Sequence, residues 1–260
     1  MVPFDDLGEA VPLRGRPSRV VSLVPSLTEA VALSAPGSLV GATDYCAHPE
    51  DLDVVRVGGS KYPDVDRVLG LRPDLAIANS EENRAEDVER LRADGVPVWV
   101  TEAPATVLAA LGSIRRLLTT AFELEEPSWL VQAGNVWSEV EPVRATAVVP
   151  VWRRPWVVLG RDTFAGDVLH RLGIANAYGD HRERYPRPSL EELNSVGADL
   201  VVLPDEPYGF TATDGPESFP GLPCALVSGR FLTWYGPSLV QAREELSRAL
   251  EAAARSNRRS

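Results

Sequence analysis

Lysine, methionine and cysteine are nearly missing from this 260-residue chain, and no apolar run approaches the roughly 18 residues needed to cross a bilayer. Lys61 is the single lysine, so the basic charge is almost all arginine, a bias of codon usage rather than of function. The two cysteines, Cys46 and Cys224, stand far apart and form no CxxC pair. That excludes a zinc ribbon, an iron–sulfur cluster and a redox dithiol, and leaves two free thiols. Positive charge is scarce too: 26 Lys and Arg face 37 Asp and Glu, a net charge of −11. Nucleic acid and anionic membranes are the wrong partners for such a chain. The N-terminal MVPFDDLGEAVPLRGRPSR carries acid where a signal peptide has a basic region and an apolar stretch. The chain as written is expected in the cytoplasm, or outside it if a leader has been removed. Walker loop, GxGxxG, HExxH and GxSxG motifs are all missing, so the common enzyme signatures give no support for catalysis.

What is present is an ordinary globular composition, 44% hydrophobic and 24% charged, long enough for one large domain or two small ones. RVVSL (Arg19 to Leu23) reads as a strand running into a Pro25-Ser26 turn, with Ser26 as helix cap and Glu29 completing a capping box. Strand and helix patterns then alternate: Leu39 to Thr43, a helix from Val65 to Leu71, DLAIA, a helix from Asn83 to Ala93 ending at Gly95, and VPVWV. Such alternation predicts a mostly parallel sheet covered by helices. From Pro104 to Val140 there is no strand signal, and Trp129, Leu130, Ala133, Val136, Trp137 and Val140 fall at helical spacing, which predicts two helices, the second long. Strands return in ATAVVPVW, PWVVLG, ADLVVLP and Ala225 to Val227, with helices at 163–172 and 189–194 and a closing amphipathic helix before a frayed SNRRS.

The halves echo one another. VDRVLGLRPDLAIA aligns without gaps on LEELNSVGADLVVL, with Asp74 matching Asp199, and VVSLVPSLTEAVAL resembles VVLGRDTFAGDVL. Any two αβ units share some of this, but two echoes in the same order favour two similar lobes with a ligand cleft between them.

Large aromatics crowd the loops of the second half in VWRRPW, ERYPRPS, EPYGF and LTWYGP. As a set they suit a flat or bulky ligand, and Arg153, Arg154, Arg182 and Arg184 beside them suit its polar groups. His48, two residues after Cys46, is a weak metal candidate, and His170 and His181 stand alone.

In this order, VVSLVPSLTEAV, GATDYCAHP, RVGGSKYPDVDRVLGLRPDLAIANSEENRAEDVERL, WRRPWVVLGRDTFAGDVLHRLG, RYPRPSLEEL and ADLVVLPDEPYGF resemble the class III substrate-binding proteins of ABC importers, the helical-backbone metal receptors, and most of all their BtuF-like cobalamin-binding branch. The resemblance covers roughly Arg19 to Val240. It implies an α/β fold of two Rossmann-like lobes joined by a single long backbone helix. The parts are an extension at 1–18, a lobe at 19–122, the helix at 123–142, and a second lobe with closing helix at 143–260. It implies a non-enzymatic monomer holding cobalamin or a related corrinoid, with a ferric siderophore or haem as the alternative ligand, no catalytic cofactor and no resident metal. Carried over by position, Pro25, Ser26, Tyr45 and Asn79 line the ligand side of the first lobe, and Trp152 or Trp156, Tyr185 and Trp234 that of the second. Asn79 stands where cobalamin binders can place tryptophan. Glu82 or Glu86 is the carboxylate implied for docking on an ABC permease, with no equivalent carboxylate in FLTWYGP. A cytosolic corrinoid-handling enzyme or factor, and a protein-interaction module, are the readings outside transport.

Overall fold

The computed structural model describes residues 2–257. The chain divides into two compact units, one made of residues up to 103, 110–131 and 235–237, the other of 104–109, 132–234 and 238 onward. Arg258, Arg259 and Ser260 of the expected frayed tail lie outside the described residues.

Unit 1 is built from β1 (Val20–Ser22), α1 (Pro25–Ser34), β2 (Leu39–Ala42), β3 (Val55–Arg56), α2 (Val65–Gly70), β4 (Leu75–Asn79), α3 (Ala85–Ala93) and β5 (Val98–Thr101). The strands form one parallel sheet in the order β3-β2-β1-β4-β5. Every residue of β1, β4 and β5 is buried, as expected of parallel strands covered on both faces. Asp64 caps α2 by accepting from the Arg67 amide at 3.0 Å, and Gly95, at φ 82°, lets the chain turn out of α3 where a side chain would be strained. The N-terminal extension covers the free edge of β5. The Asp6 amide donates to the Val100 carbonyl at 3.1 Å, and buried Asp5 accepts from the Val100 amide and Arg92.

The helix after β1 starts two residues earlier than the sequence reading placed it, with the cap at Val24 rather than Ser26. Proline fits the first helical position, so Pro25 opens α1, Val24 is its cap residue, and Ser26 and Glu29 form no capping box. A capping box is present instead at Ser189 and Glu192.

Between β5 and the next strand lie α4 (Val107–Arg116), which widens into a π-helical turn at Leu117–Ala121, and α5 (Ser128–Val136). The second helix is nine residues long, shorter than the expected 123–142. Glu123 takes a positive φ of 52°, Pro127 precedes the first turn, and Glu141 and Pro142 leave the helical path as the Glu141 amide bonds the Arg171 carbonyl at 3.1 Å.

Unit 2 comprises β6 (Ala145–Val148), β7 (Pro150–Trp152), β8 (Val157–Val158), α6 (Phe164–Arg171), β9 (Ile174–Asn176), α7 (Leu190–Ser195), β10 (Leu200–Pro204), β11 (Cys224–Val227), α8 (Gly229–Thr233) and α9 (Leu239–Asn257). Four strands form a parallel sheet in the order β11-β10-β6-β9, and β7 and β8 make a separate antiparallel hairpin. Buried Leu239, Ala242, Leu246, Leu250 and Ala253 give α9 its apolar stripe.

The internal echo has a physical basis. Asp74, before β4, accepts from the Arg19 amide at 2.9 Å, and Asp199, before β10, accepts from the Thr146 amide at 2.7 Å. Each clamps the start of its strand to the neighbouring central strand. The second echo is out of step: β6, not β8, takes the place of β1, and VVLG belongs to the inserted hairpin.

Candidate functional site

In parallel α/β sheets, ligands gather at the C-terminal ends of the strands, where the strand order reverses. In unit 1 the chain leaves β1 for β2 on one side and later returns to β4 on the other, so the reversal lies at the ends of β1 and β4. Pro25 and Ser26 open the helix separated from β1 by two residues, Tyr45 sits in the loop after β2, Asn79 ends β4, and Glu82 follows it. The topology therefore brings these predicted residues to one edge.

Their side chains do different things there. Tyr45 is exposed (66%), with its ring against the backbone of Gly59, where an added Cβ would lie 3.4 Å from the ring. Tyr62, which sequence reasoning passed over, is also exposed (71%), and the Arg84 guanidinium lies 4.7 Å from its ring centroid. Asn79 is buried. It donates to Thr101 Oγ1 at 3.1 Å and the Glu102 carbonyl at 3.3 Å, and accepts from the Glu81 and Glu82 amides at 2.9 and 3.2 Å. Asn83, likewise unforeseen, donates to the Leu23 carbonyl at 3.2 Å and the Ser60 carbonyl at 2.8 Å, tying three strand-end loops together. Ser26 Oγ accepts from the Tyr235 amide at 3.3 Å, and Gly236 lies so close that a Cβ there would meet the Ser26 carbonyl at 2.9 Å.

Glu82 is partly buried and accepts from the Tyr235 hydroxyl at 3.0 Å. Burial pushes its carboxyl up to about 7, the Tyr235 hydrogen bond opposing and the Glu81 charge adding to the rise. Glu86 is exposed and lies 2.6 Å from Arg84. Cys46 is buried and hydrogen-bonded to the Thr28 and Thr43 hydroxyls at 3.0 and 3.1 Å, and burial raises its pKa, so the thiol stays protonated. No group of three or more His, Cys, Asp or Glu poised for a metal occurs among the described residues.

The corresponding edge of unit 2 is aromatic. Trp152, at the end of β7, is 46% exposed and meets Tyr208 edge-on at 5.7 Å. Trp156, half-buried, stacks on Phe210 at 6.1 Å and meets Phe219 edge-on at 5.4 Å. Arg153 is held inside this cluster, ion-paired to Asp214 and to Glu217 and placed 5.4 Å from the Trp156 ring. The Tyr208 hydroxyl donates to Asp214 at 2.7 Å. Exposed Tyr185 rides on the loop after β9, which is bonded alongside the end of β8: the Val158 amide bonds the Pro186 carbonyl at 3.0 Å, and the Gly160 amide the Arg184 carbonyl at 2.7 Å. That approach requires glycine, since a Cβ at Gly160 would lie 2.0 Å from the Glu183 carbonyl. Hairpin and loops thus gather Trp152, Trp156 and Tyr185 at one edge. Trp234 is elsewhere, buried after α8 with its indole donating to Glu206.

A family profile described as "Periplasmic binding protein" matches residues 20–217. The chain is 24% identical over 220 residues to the ABC transporter substrate-binding lipoprotein YvrC of Bacillus subtilis (strain 168), covering 78% of this chain and 69% of that protein. It is 23% identical over 188 residues to the vitamin B12-binding protein of Vibrio parahaemolyticus serotype O3:K6, covering 67% of this chain and 66% of that one. The chain thus spans about two thirds of the length of these relatives. Among solved structures, the periplasmic vitamin B12 binding protein BtuF of Vibrio cholerae superimposes with a TM-score of 0.71 at 19% identity, over 92% of this chain and 98% of that chain. The apo form of the periplasmic haem-binding protein RhuT from Roseiflexus sp. RS-1 gives 0.76 at 21%, over 91% and 99%. At these identities the two structures share the fold.

Proposed function

The chain belongs to the periplasmic binding protein family, with the class III fold, and from that premise we propose that it is the substrate-binding protein of an ABC importer whose cargo is a cobalamin-like corrinoid. Membership of a family of solute-binding proteins sets an enzymatic role aside. The observation that carries the corrinoid reading is the aromatic edge of unit 2. Exposed Trp152, braced by Tyr208 with Trp156 and Phe210 behind it, offers wide, rigid apolar contact to a flat macrocycle. The vitamin B12-binding relatives support the same ligand class. A ferric chelate is the second reading, favoured by the exposed phenols of Tyr45 and Tyr62, since a phenolate oxygen is a hard donor suited to ferric iron.

Relatives that are periplasmic proteins or lipoproteins support action outside the cytoplasmic membrane, and no helix among the described residues is long and apolar enough to cross it. For a permease, Glu86 is the better placed carboxylate, because it is exposed, whereas Glu82 is partly buried against Tyr235.

Titration with cyanocobalamin, followed by tryptophan quenching and calorimetry, tests the proposal. Saturable one-to-one binding at micromolar or tighter affinity is expected, and Trp152→Ala is expected to weaken it by about tenfold, ~1.4 kcal/mol. Neither quenching nor heat at about 100 μM cobalamin, well above a micromolar Kd, overturns the corrinoid assignment.

A further inference from the structure

Resting on that reading, the structure separates the arginines of unit 2 that are already engaged from those left open to cargo. Arg153 is clamped between Asp214 and Glu217, Arg161 meets Asp162 at 2.5 Å, Arg184 is engaged by the Asp162 carbonyl, and Arg182 lies 3.8 Å from Glu183. Among the described residues, the exposed Arg154 and Arg187 meet no carboxylate and no hydrogen-bond acceptor.

The backbone brings these two to one small layer of unit 2. β7 and β8 pair antiparallel, with Trp152 opposite Val157. The Val158 and Gly160 amides donate to the Pro186 and Arg184 carbonyls, so residues 184–187 run antiparallel along the other side of β8. Continuing that register by one step sets Arg187 opposite Val157, in a row with Trp152. Residues in one row share a face, and neighbouring strands stand about 4.8 Å apart, so the Trp152 and Arg187 backbones lie roughly 10 Å from each other across β8. That face is the open one: Trp152 and Arg187 are exposed and Val157 is half-buried, whereas the next residue along, Val158, is in the core. Tyr185, two residues before Arg187, falls on the same face and is exposed.

Arg154 sits at the tip of the hairpin, at a φ of 69°. Glycine occupies that left-handed region freely and arginine rarely does, so an arginine held there points to a use for its side chain. Its charge reaches the Tyr208 hydroxyl: the bond to Asp214 raises that phenol above its usual range, and Arg153 and Arg154 oppose the rise. Tyr208 in turn meets the Trp152 ring edge-on. The exposed indole thus has two unmatched guanidiniums near it, one at the hairpin tip and one across β8.

We propose that this face of unit 2 holds an anionic oxygen group of the cargo, a phosphodiester or a carboxylate borne on a flat apolar body, with Arg154 and Arg187 as its charge partners beside the Trp152 ring. A guanidinium presents forked N–H donors that match either oxyanion, and one without a carboxylate partner has no ion pair to break before it binds.

Two matched pairs of probes, titrated into the full chain at pH 7.5, test this and tell the two anions apart: cyanocobalamin against dicyanocobinamide, which lacks the phosphodiester, and hemin against its dimethyl ester, whose carboxylates are masked. Arg154→Gln combined with Arg187→Gln is expected to weaken the anion-bearing member of a pair by about tenfold and its counterpart by less than about twofold. Loss with cyanocobalamin assigns the phosphodiester, and loss with hemin the carboxylate. In the unsubstituted protein the affinity for that member is expected to fall between 50 and 300 mM NaCl, and in the double variant to stay level. Binding that the double variant leaves unchanged, or that falls equally for both members of a pair, overturns this inference and leaves the transport role standing. No binding by any of the four overturns the chelate reading itself, and the inference with it.

Discussion

The two units share a core and differ at their strand ends. In each, four parallel strands stand in one order, β2-β1-β4-β5 in unit 1 and β9-β6-β10-β11 in unit 2, and an aspartate pins the strand after the short helix, α2 or α7, to the central strand. What differs lies in the connections. Unit 1 adds β3 and stitches its loops with Asn79 and Asn83; unit 2 inserts the β7–β8 hairpin and replaces the helix between its last two sheet strands by a long loop with Tyr208 and Phe210. One edge is set by buried amide hydrogen bonds and the other by packed rings. A sheet of fixed order tolerates either solution, because strand-end loops are free to vary on a rigid scaffold.

The largest effect that tests this contrast comes from the residues that end the equivalent strands, Asn79 in β4 and Pro204 in β10. Asn79→Ala removes four buried or part-buried hydrogen bonds and leaves their partners unsatisfied, so a loss of about 3 kcal/mol is expected in urea unfolding. Pro204→Ala breaks no side-chain hydrogen bond, and a loss of about 1 kcal/mol is expected from lost packing. Equal losses at the two positions would mean that the edges are not held by different forces.

A smaller difference is expected between the aspartate clamps. Asp74 accepts from Ser18 N at 2.9 Å, Ser18 Oγ at 3.0 Å and Arg19 N at 2.9 Å, whereas Asp199 accepts from Thr146 N at 2.7 Å. All these bonds are exposed, so Asp74→Ala is expected to cost about 2 kcal/mol and Asp199→Ala about 1. A larger loss at Asp199 defeats the idea that the clamp is the stronger in unit 1.

Much of the shared core was legible in the sequence, because parallel strands read as short β-branched runs and the Asp-Leu pair before β4 and β10 is local. The differing edges were not. VVLG has the look of a sheet strand, but a β-branched run does not name its partner, and its partner is β7. Ser26 followed by Glu29 has the spacing of a capping box, yet Pro25 suits the first helical position and shifts the start. Tyr235 lies 153 positions from Glu82 and Asn83 lies 60 from Leu23, so nothing local in the sequence signals those bonds. Tyr62 had a local cue in the preceding Gly58-Gly59 and Lys61, but its exposure is a property of the folded loop. Arg153 was visible as positive charge; that Asp214 and Glu217 neutralise it appears only when the loops at 153 and 205–223 come together.

The smallest expected difference is in pH dependence, and it arises because each unit carries a perturbed carboxylate in the loop after its equivalent strand. In unit 2, burial and the Asp205 charge raise Glu206, while Arg230 and the Trp234 indole oppose the rise. In unit 1, Glu82 rises from 4.5 to about 7 with the Tyr235 hydroxyl as the opposing influence and no cation beside it. A carboxyl raised by folding stabilises the fold while protonated, so its contribution is complete below about 4.5 and is lost as the pH climbs through about 7. Discounted for the partial exposure of Glu82, the loss is on the order of 1–2 kcal/mol between pH 5 and 7.5. Glu82→Gln, which stays neutral, is expected to remove most of that slope, and Glu206→Gln to remove less. Tyr235→Phe, by deleting the hydroxyl that favours the charged form, is expected to move the Glu82 titration higher still in carboxyl NMR. A wild-type slope that survives Glu82→Gln but vanishes in Glu206→Gln would reverse the assignment, and the matched cation in unit 2 would then have failed to do what Arg230 is placed to do.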